Sequence, residues 1–168
     1  MDLEVQTNPN EGEIWRSVVK NKKVIPNYWV SNFGRIKSTK KMLKCRNETY
    51  EQRGNRQTVN IAIPNDLFEG FSYAKKGKKT SNITAQVHRL VIETFKPIDE
   101  HPPIPKEEWD ATPESARQII RDCCLVDHID DNPFNNHVDN LRWVTPKENN
   151  TYIKKYQFIQ KQKVEEIC

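Results

Sequence analysis

Residues 125–150, LVDHIDDNPFNNHVDNLRWVTPKENN, constrain this chain more than any other stretch. Two short apolar pieces, 124–127 and 141–144, flank a polar loop dense in Asn and Asp. The second piece runs directly into a helix start. Apolar runs of this length bounded by turn residues read as strands. The order strand, loop, strand, helix is expected to gather an imidazole, a carboxylate and an amide around one space the size of a metal ion.

His128 is the natural base of the segment, because a neutral imidazole can accept a proton near pH 7. Asp127 precedes it on an extended strand, where successive side chains alternate faces. Both can serve one site only if the strand twists or ends there, which the following loop allows. Asp127 offers a hard carboxylate oxygen suited to Mg²⁺ or Mn²⁺, and one carboxylate with waters and a substrate phosphate is a usual Mg²⁺ arrangement. Thr145-Pro146-Lys147-Glu148 predicts a helix start, with Thr145 as N-cap, Pro146 in the first helical position and Glu148 closing a capping box. Asn149 then falls near the positive end of the helix dipole, where its amide oxygen can add a ligand beside a bound phosphate. Asn140 stands where a side chain can tie the loop back to backbone groups.

These residues together resemble the HNH nucleases, in the branch of phage and intron-encoded homing endonucleases. The match lies in the central His128, in Asn140 ahead of the Leu141-Arg142-Trp143-Val144-Thr145 strand, and in the helical Asn149. The resemblance implies an α+β fold, with a small N-terminal, mostly β DNA-binding module followed by a ββα-metal unit. It implies His128 as general base, Asn140 as the residue bracing the loop, and Asp127 with Asn149 as ligands of Mg²⁺, or of Mn²⁺ in its place. It also implies hydrolysis of phosphodiester bonds in double-stranded DNA, with nicking of one strand as a variant. The rival from another class is a catalytically decayed DNA-binding regulator. Two positions depart from relatives. Asp131 stands where Gly is common, in a turn that needs a left-handed residue, which Asp tolerates. Pro133-Phe134 interrupts a stretch that is usually polar.

Charge divides the 168 residues unevenly. Between Ile14 and Arg56 there are 12 Lys or Arg and 2 acids, a balance of +10, whereas 91–126 carry 4 basic and 8 acidic residues. Such a basic stretch suits the phosphate backbone of DNA and argues against a purely structural role. The run Trp29-Val30-Ser31-Asn32-Phe33-Gly34-Arg35-Ile36 resembles the nuclease-associated modular motif that precedes HNH units. Arg35, Lys37, Lys40, Lys41 and Lys44 are its candidate phosphate contacts, joined by Arg89, Arg142 and Lys147 further along. Trp15, Tyr28, Trp29 and Phe33 are assigned to the module's core, since small domains need their aromatics inside. His88, in the run Val87-His88-Arg89-Leu90-Val91, is assigned a structural role.

The chain is expected to divide into an acidic tail over 1–13, the basic module over 14–56, and a hairpin with a helix over 57–95. A proline-rich insertion with a helix over 96–120 and the nuclease unit over 121–168 follow. Alternating Val59, Ile61 and Ile63 predict a half-buried strand paired with 81–87 across a lysine-rich tip at 75–79, which either inserts toward DNA or stands in solvent. Cys45, Cys123, Cys124 and Cys168 lack metal-ligand spacing, which disfavours a zinc knuckle and suits reduced thiols. No apolar run reaches the roughly 18 residues of a membrane span. An intracellular monomer, in the host cytoplasm if of phage origin, is the expectation.

Overall fold

The structure is a computed structural model in which residues 6–7, 12–49, 55–67 and 79–150 are described. Residues 75–78, where a lysine-rich tip is expected, and residues 151–168, assigned by sequence to the nuclease unit, lie outside the described residues. The chain is α+β. It forms two compact units, one of Met1–Pro97 with His128–Leu141, the other of Ile98–Asp127 with Arg142–Cys168.

The first unit opens with an antiparallel sheet in the order β1 (Gln6–Thr7), β2 (Ile14–Lys20), β3 (Lys23–Ser31) and β4 (Ile36–Ser38). Asn21 and Lys22 join β2 to β3, both at positive φ (49° and 63°), with Lys20 opposite Lys23. Two left-handed residues make the turn whose twist matches that of the flanking strands, and Asn is the residue that most readily starts it. The ladder slips between Ser17 and Val19. The amide of Val19 turns instead to the buried Thr94 hydroxyl at 2.9 Å, so a helix repairs the bulge.

That helix is α1 (Val87–Phe95). Val87, Leu90, Val91 and Thr94 recur at helical spacing, and all are buried. It packs against β2 and β3 and against the second sheet, in the order β5 (Arg46–Glu48), β6 (Arg56–Pro64) and β7 (Thr80–Gln86). The alternation expected at Val59, Ile61 and Ile63 points these side chains inward, with Val59 opposite Ala85 and Ile61 opposite Ile83. The Tyr28 hydroxyl accepts a hydrogen bond from the Ala62 amide at 2.9 Å, linking β3 to β6. The boundary expected at residue 56 falls at the first residue of β6, which pairs with β5 ahead of it. The basic module and the hairpin after it are thus joined by a sheet and by one helix.

In the second unit the proline-rich stretch contains a helix, α2 (Lys106–Ala111), before α3 (Glu114–Cys123). Pro105 and Pro113 occupy the N-cap positions, where a residue without an amide hydrogen leaves no helical bond unmade. Trp109 is fully buried. Arg121 lies over its ring at 5.4 Å while bonding Asp99 at 2.6 Å and Glu114 at 2.7 Å. The polar stretch therefore folds around one indole and one guanidinium. β8 (Leu125–His128) and β9 (Leu141–Val144) form a two-stranded sheet, and residues 146–150 are helical. No described helix is long and apolar enough to cross a membrane.

Leu90, at 1% exposure, anchors α1. Leu90→Ala is expected to lower the unfolding free energy by about 2–5 kcal/mol. The readout is a lower urea midpoint with the denaturant slope unchanged.

Candidate active site

β8 ends at His128, so the chain leaves the strand at the second of the two residues that the sequence marks for one site. The loop that follows is held by its own side chains. Asp131 takes φ 60°, the left-handed conformation expected of it, and its amide bonds the His128 carbonyl at 3.0 Å. Asn140 closes the loop. Its Oδ1 accepts from the Asp130 amide at 3.1 Å, and its Nδ2 donates to Asp130 Oδ1 and to the Asn135 carbonyl, each at 2.8 Å. The Asn140 side chain thus spans the loop from Asp130 to Asn135. Hydrogen bonds from the Asn135 side chain, the Asn132 amide and Asn140 hold the Asp130 carboxyl below its usual range. Phe134 is half-buried and its amide bonds Asn132 Oδ1 at 3.1 Å.

The His128 imidazole is half-buried and meets two groups that the sequence did not announce. Its Nε2 lies 3.1 Å from Oδ1 of Asn136, a residue only 3% exposed. The His88 ring stands edge-on to it at 5.4 Å and 81°. Burial pushes the His88 imidazole down to about 3, helped by the positive charges of His128, Arg89 and Arg56. His88 is thus neutral beside the candidate base. No spacing rule singles out Asn136 from Asn132, Asn135 and Asn140 in the same loop. Its neighbours in space, Gln57 and Gly34, are far away in sequence.

In the second unit Asp127 accepts from Arg142, with Oδ2 at 2.8 Å from Nε and 2.7 Å from Nη2. Arg142, expected to clamp phosphate, faces a carboxylate instead. The capping box is in place. The Thr145 amide bonds Glu148 Oε2 at 2.8 Å, and the Glu148 amide bonds the Thr145 hydroxyl at 3.3 Å. Asn149 sits in the first turn, half-buried, its amide bonded to the Thr145 carbonyl at 3.1 Å. Lys147 is exposed in the same turn.

Among the described residues, no three His, Cys, Asp or Glu side chains gather as a metal cluster. The expected pair, Asp127 and Asn149, is a donor set of one carboxylate and one amide oxygen. That chemistry fits Mg²⁺ or Mn²⁺, which keep waters and bind through few protein oxygens. A cation drawing on Asp127 would share the carboxylate with Arg142.

On the basic module, Arg35 is engaged by the buried Glu13, with Nε 2.7 Å from Oε1 and Nη2 on Oε2, and it lies over the Trp15 ring. Lys37 stands 4.5 Å above the same ring. The other candidate phosphate contacts Lys40, Lys41 and Lys44 are exposed, and Arg89 is half-buried.

Residues 85–151 match the HNH endonuclease family, and residues 13–60 match the NUMOD4 motif. The two matches take in more than half of the chain. One solved structure, "DNA binding and cleavage by the HNH homing endonuclease I-HmuI", is similar at 26% identity and a TM-score of 0.49. The likeness covers 89% of this chain and 64% of that one. No curated protein matches. A strand–loop–strand–helix unit carrying a central imidazole is the class of arrangement seen here. By these matches residues 85–151 form an HNH endonuclease segment, with a NUMOD4 motif ahead of it.

The low proton affinity of His88 has a consequence for stability. Unfolded, its imidazole takes a proton near 6.5; folded, only near 3. The stability gained by keeping it neutral is complete above pH 6.5 and is lost as the pH falls toward 3, because the unfolded chain then binds the extra proton. His88→Phe keeps an aromatic edge on His128 and removes this titration. In urea unfolding its stability is expected to fall less steeply below pH 6.5 than that of the unchanged chain.

Proposed function

We propose that the chain is a divalent-cation-dependent endonuclease that hydrolyses phosphodiester bonds of double-stranded DNA. The observation that carries this reading is His128, a half-buried imidazole held at one nitrogen and placed at the strand end next to Asp127 in sequence, within the segment that matches the family. In this reading His128 takes the proton of a water attacking phosphorus in line, as general base. Asp127 and Asn149 hold the cation, which when bound supplies positive charge against the charge developing on the phosphoryl oxygens. Asn140 keeps the loop rigid so that the imidazole stays in register with its target. Lys40, Lys41 and Lys44 supply contacts to the DNA backbone, with Arg89 and Lys147 adding theirs from within the nuclease segment. Arg35, Lys37 and Arg142 join them if DNA draws them from their present partners. A homing or phage setting, action in the host cytoplasm as a monomer, and nicking of a single strand belong to the same proposal.

A second reading is favoured by one observation. The Asp127 carboxylate is already paired with Arg142, as in a decayed nuclease that binds DNA without cutting it.

Supercoiled plasmid separates the two readings. With Mg²⁺ or Mn²⁺ the unchanged chain is expected to nick or linearise it, and EDTA to abolish the reaction. His128→Ala is expected to lose about 10²–10⁴-fold in rate with DNA binding retained. Salt-sensitive binding without cleavage in either metal would sustain the regulator. Replacing Lys40, Lys41 and Lys44 together by Ala is expected to flatten the logarithmic dependence of DNA binding on salt by about 0.9 per lost contact.

A further inference from the structure

We infer that Asn136 is the positioning residue for His128, and that the turn of the NUMOD4 motif at residues 31–35 is the seat that holds it there. The inference rests on the nuclease reading for its consequence in rate, though not for its geometry.

A buried Asn needs partners for both ends of its amide, and here each end is determined. Asn136 Nδ2 points to the Phe134 carbonyl at 3.4 Å and to Gln57 Oε1 at 3.2 Å. A backbone carbonyl can only accept, so the NH₂ group must lie on that side. Turning the amide over would set its oxygen against the Phe134 oxygen. Gln57 is oriented in turn, because its Nε2 donates to Asn47 Oδ1 at 3.0 Å, between residues that pair across β5 and β6. Oδ1 of Asn136 therefore faces His128 Nε2 as an acceptor, and that nitrogen must carry a hydrogen. In a neutral imidazole the other nitrogen, Nδ1, is then the basic one. One amide thus fixes both the plane of the ring and the nitrogen left to take a proton.

Asn136 itself is placed from the N-terminal motif. Gly34 has φ +78°, and a Cβ built on it would lie 2.7 Å from Asn136 Cβ and 3.2 Å from its carbonyl oxygen. Only a residue without a side chain lets the two backbones approach so closely. Two residues on, the Val138 amide donates to the Asn32 carbonyl at 2.8 Å. Asn32 is buried and pinned, its Oδ1 accepting from the Ile14 amide at 2.8 Å and its Nδ2 donating to the Gly12 carbonyl at 2.9 Å. Phe33 sets its ring against the edge of His137 at 4.8 Å. The three central residues of the turn, Asn32, Phe33 and Gly34, thus each touch or bond the loop that carries Asn136. The motif thereby acts on the nuclease centre through the loop, apart from any contact with DNA.

The first test needs neither a variant nor activity. In the full chain labelled with ¹⁵N-histidine, nuclear magnetic resonance at a pH where His128 is neutral is expected to show Nε2 protonated and Nδ1 bare. The opposite tautomer, or a mixture of the two, overturns the inference. The second test is kinetic. Asn136→Leu and Gly34→Ala are expected to lower kcat about ten- to a hundredfold, with KM and the Kd for DNA unchanged. Asn136→Asp, which keeps an acceptor for Nε2–H, is expected to recover part of the loss. A raised Kd with kcat unchanged would make the turn a DNA contact alone and sink the proposal. No metal-dependent cleavage by the unchanged chain would overturn the nuclease reading, and undiminished cleavage by His128→Ala would overturn His128 as its base, while in either case the tautomer would still decide the role of Asn136.

Discussion

The approach of two backbones at Gly34 is the constraint on which the candidate centre depends. A turn with a left-handed glycine leaves room for the Asn136 backbone, and no other residue would do so without moving one of the two segments. Once the loop is seated there, the rest of its geometry has little freedom. Val138 bonds the Asn32 carbonyl, Asn140 ties the far end of the loop to Asp130, and the Asn136 amide meets His128. Each bond is of ordinary strength, worth about 1 kcal/mol net. Their effect comes from acting together on one short loop, at whose centre the Asn136 amide meets the imidazole.

Cations in the basic module do two different jobs. Arg35 is held by buried Glu13, and both Arg35 and Lys37 lie over the Trp15 ring, where they help close the small core of the first sheet. Lys40 and Lys41 reach into solvent and suit a polyanion. Asp127 and Arg142 form a similar structural pair in the second unit. Such pairs keep ionised groups ready without leaving them unsatisfied, and a stronger ligand can displace them.

Much of this is legible in the order of residues along the chain. The alternation at Val59, Ile61 and Ile63 has one meaning on a sheet, and it reads the same way in the fold. The Thr145–Glu148 capping box is a local bond between residues three apart, so four letters suffice to foresee it. Asp131 is legible because a left-handed turn position admits few residue types. Other features are not. Trp109 stands in a stretch whose prolines and acids suggest a plain connection, yet it is buried beneath Arg121. The role of Glu13 is hidden at the end of an acidic tail, since nothing local says that Arg35 will close on it.

By itself, then, the sequence determined whatever is carried by neighbours along the chain. That includes the strand–loop–strand–helix order, the capped helix and the left-handed turn, and it is where His128, Asp127, Asn140 and Asn149 come from as candidates. Only the tertiary structure decided which amide of an Asn-rich loop meets the imidazole and which cations are already engaged. It also decided that the N-terminal motif seats the nuclease loop. The physical reason is distance along the chain. Gln57, Gly34 and His88 all lie far back in the sequence from the groups they touch or orient in the 128–136 segment, with 79 positions separating Gln57 from Asn136. Contacts of that span leave no periodicity or local pattern to read.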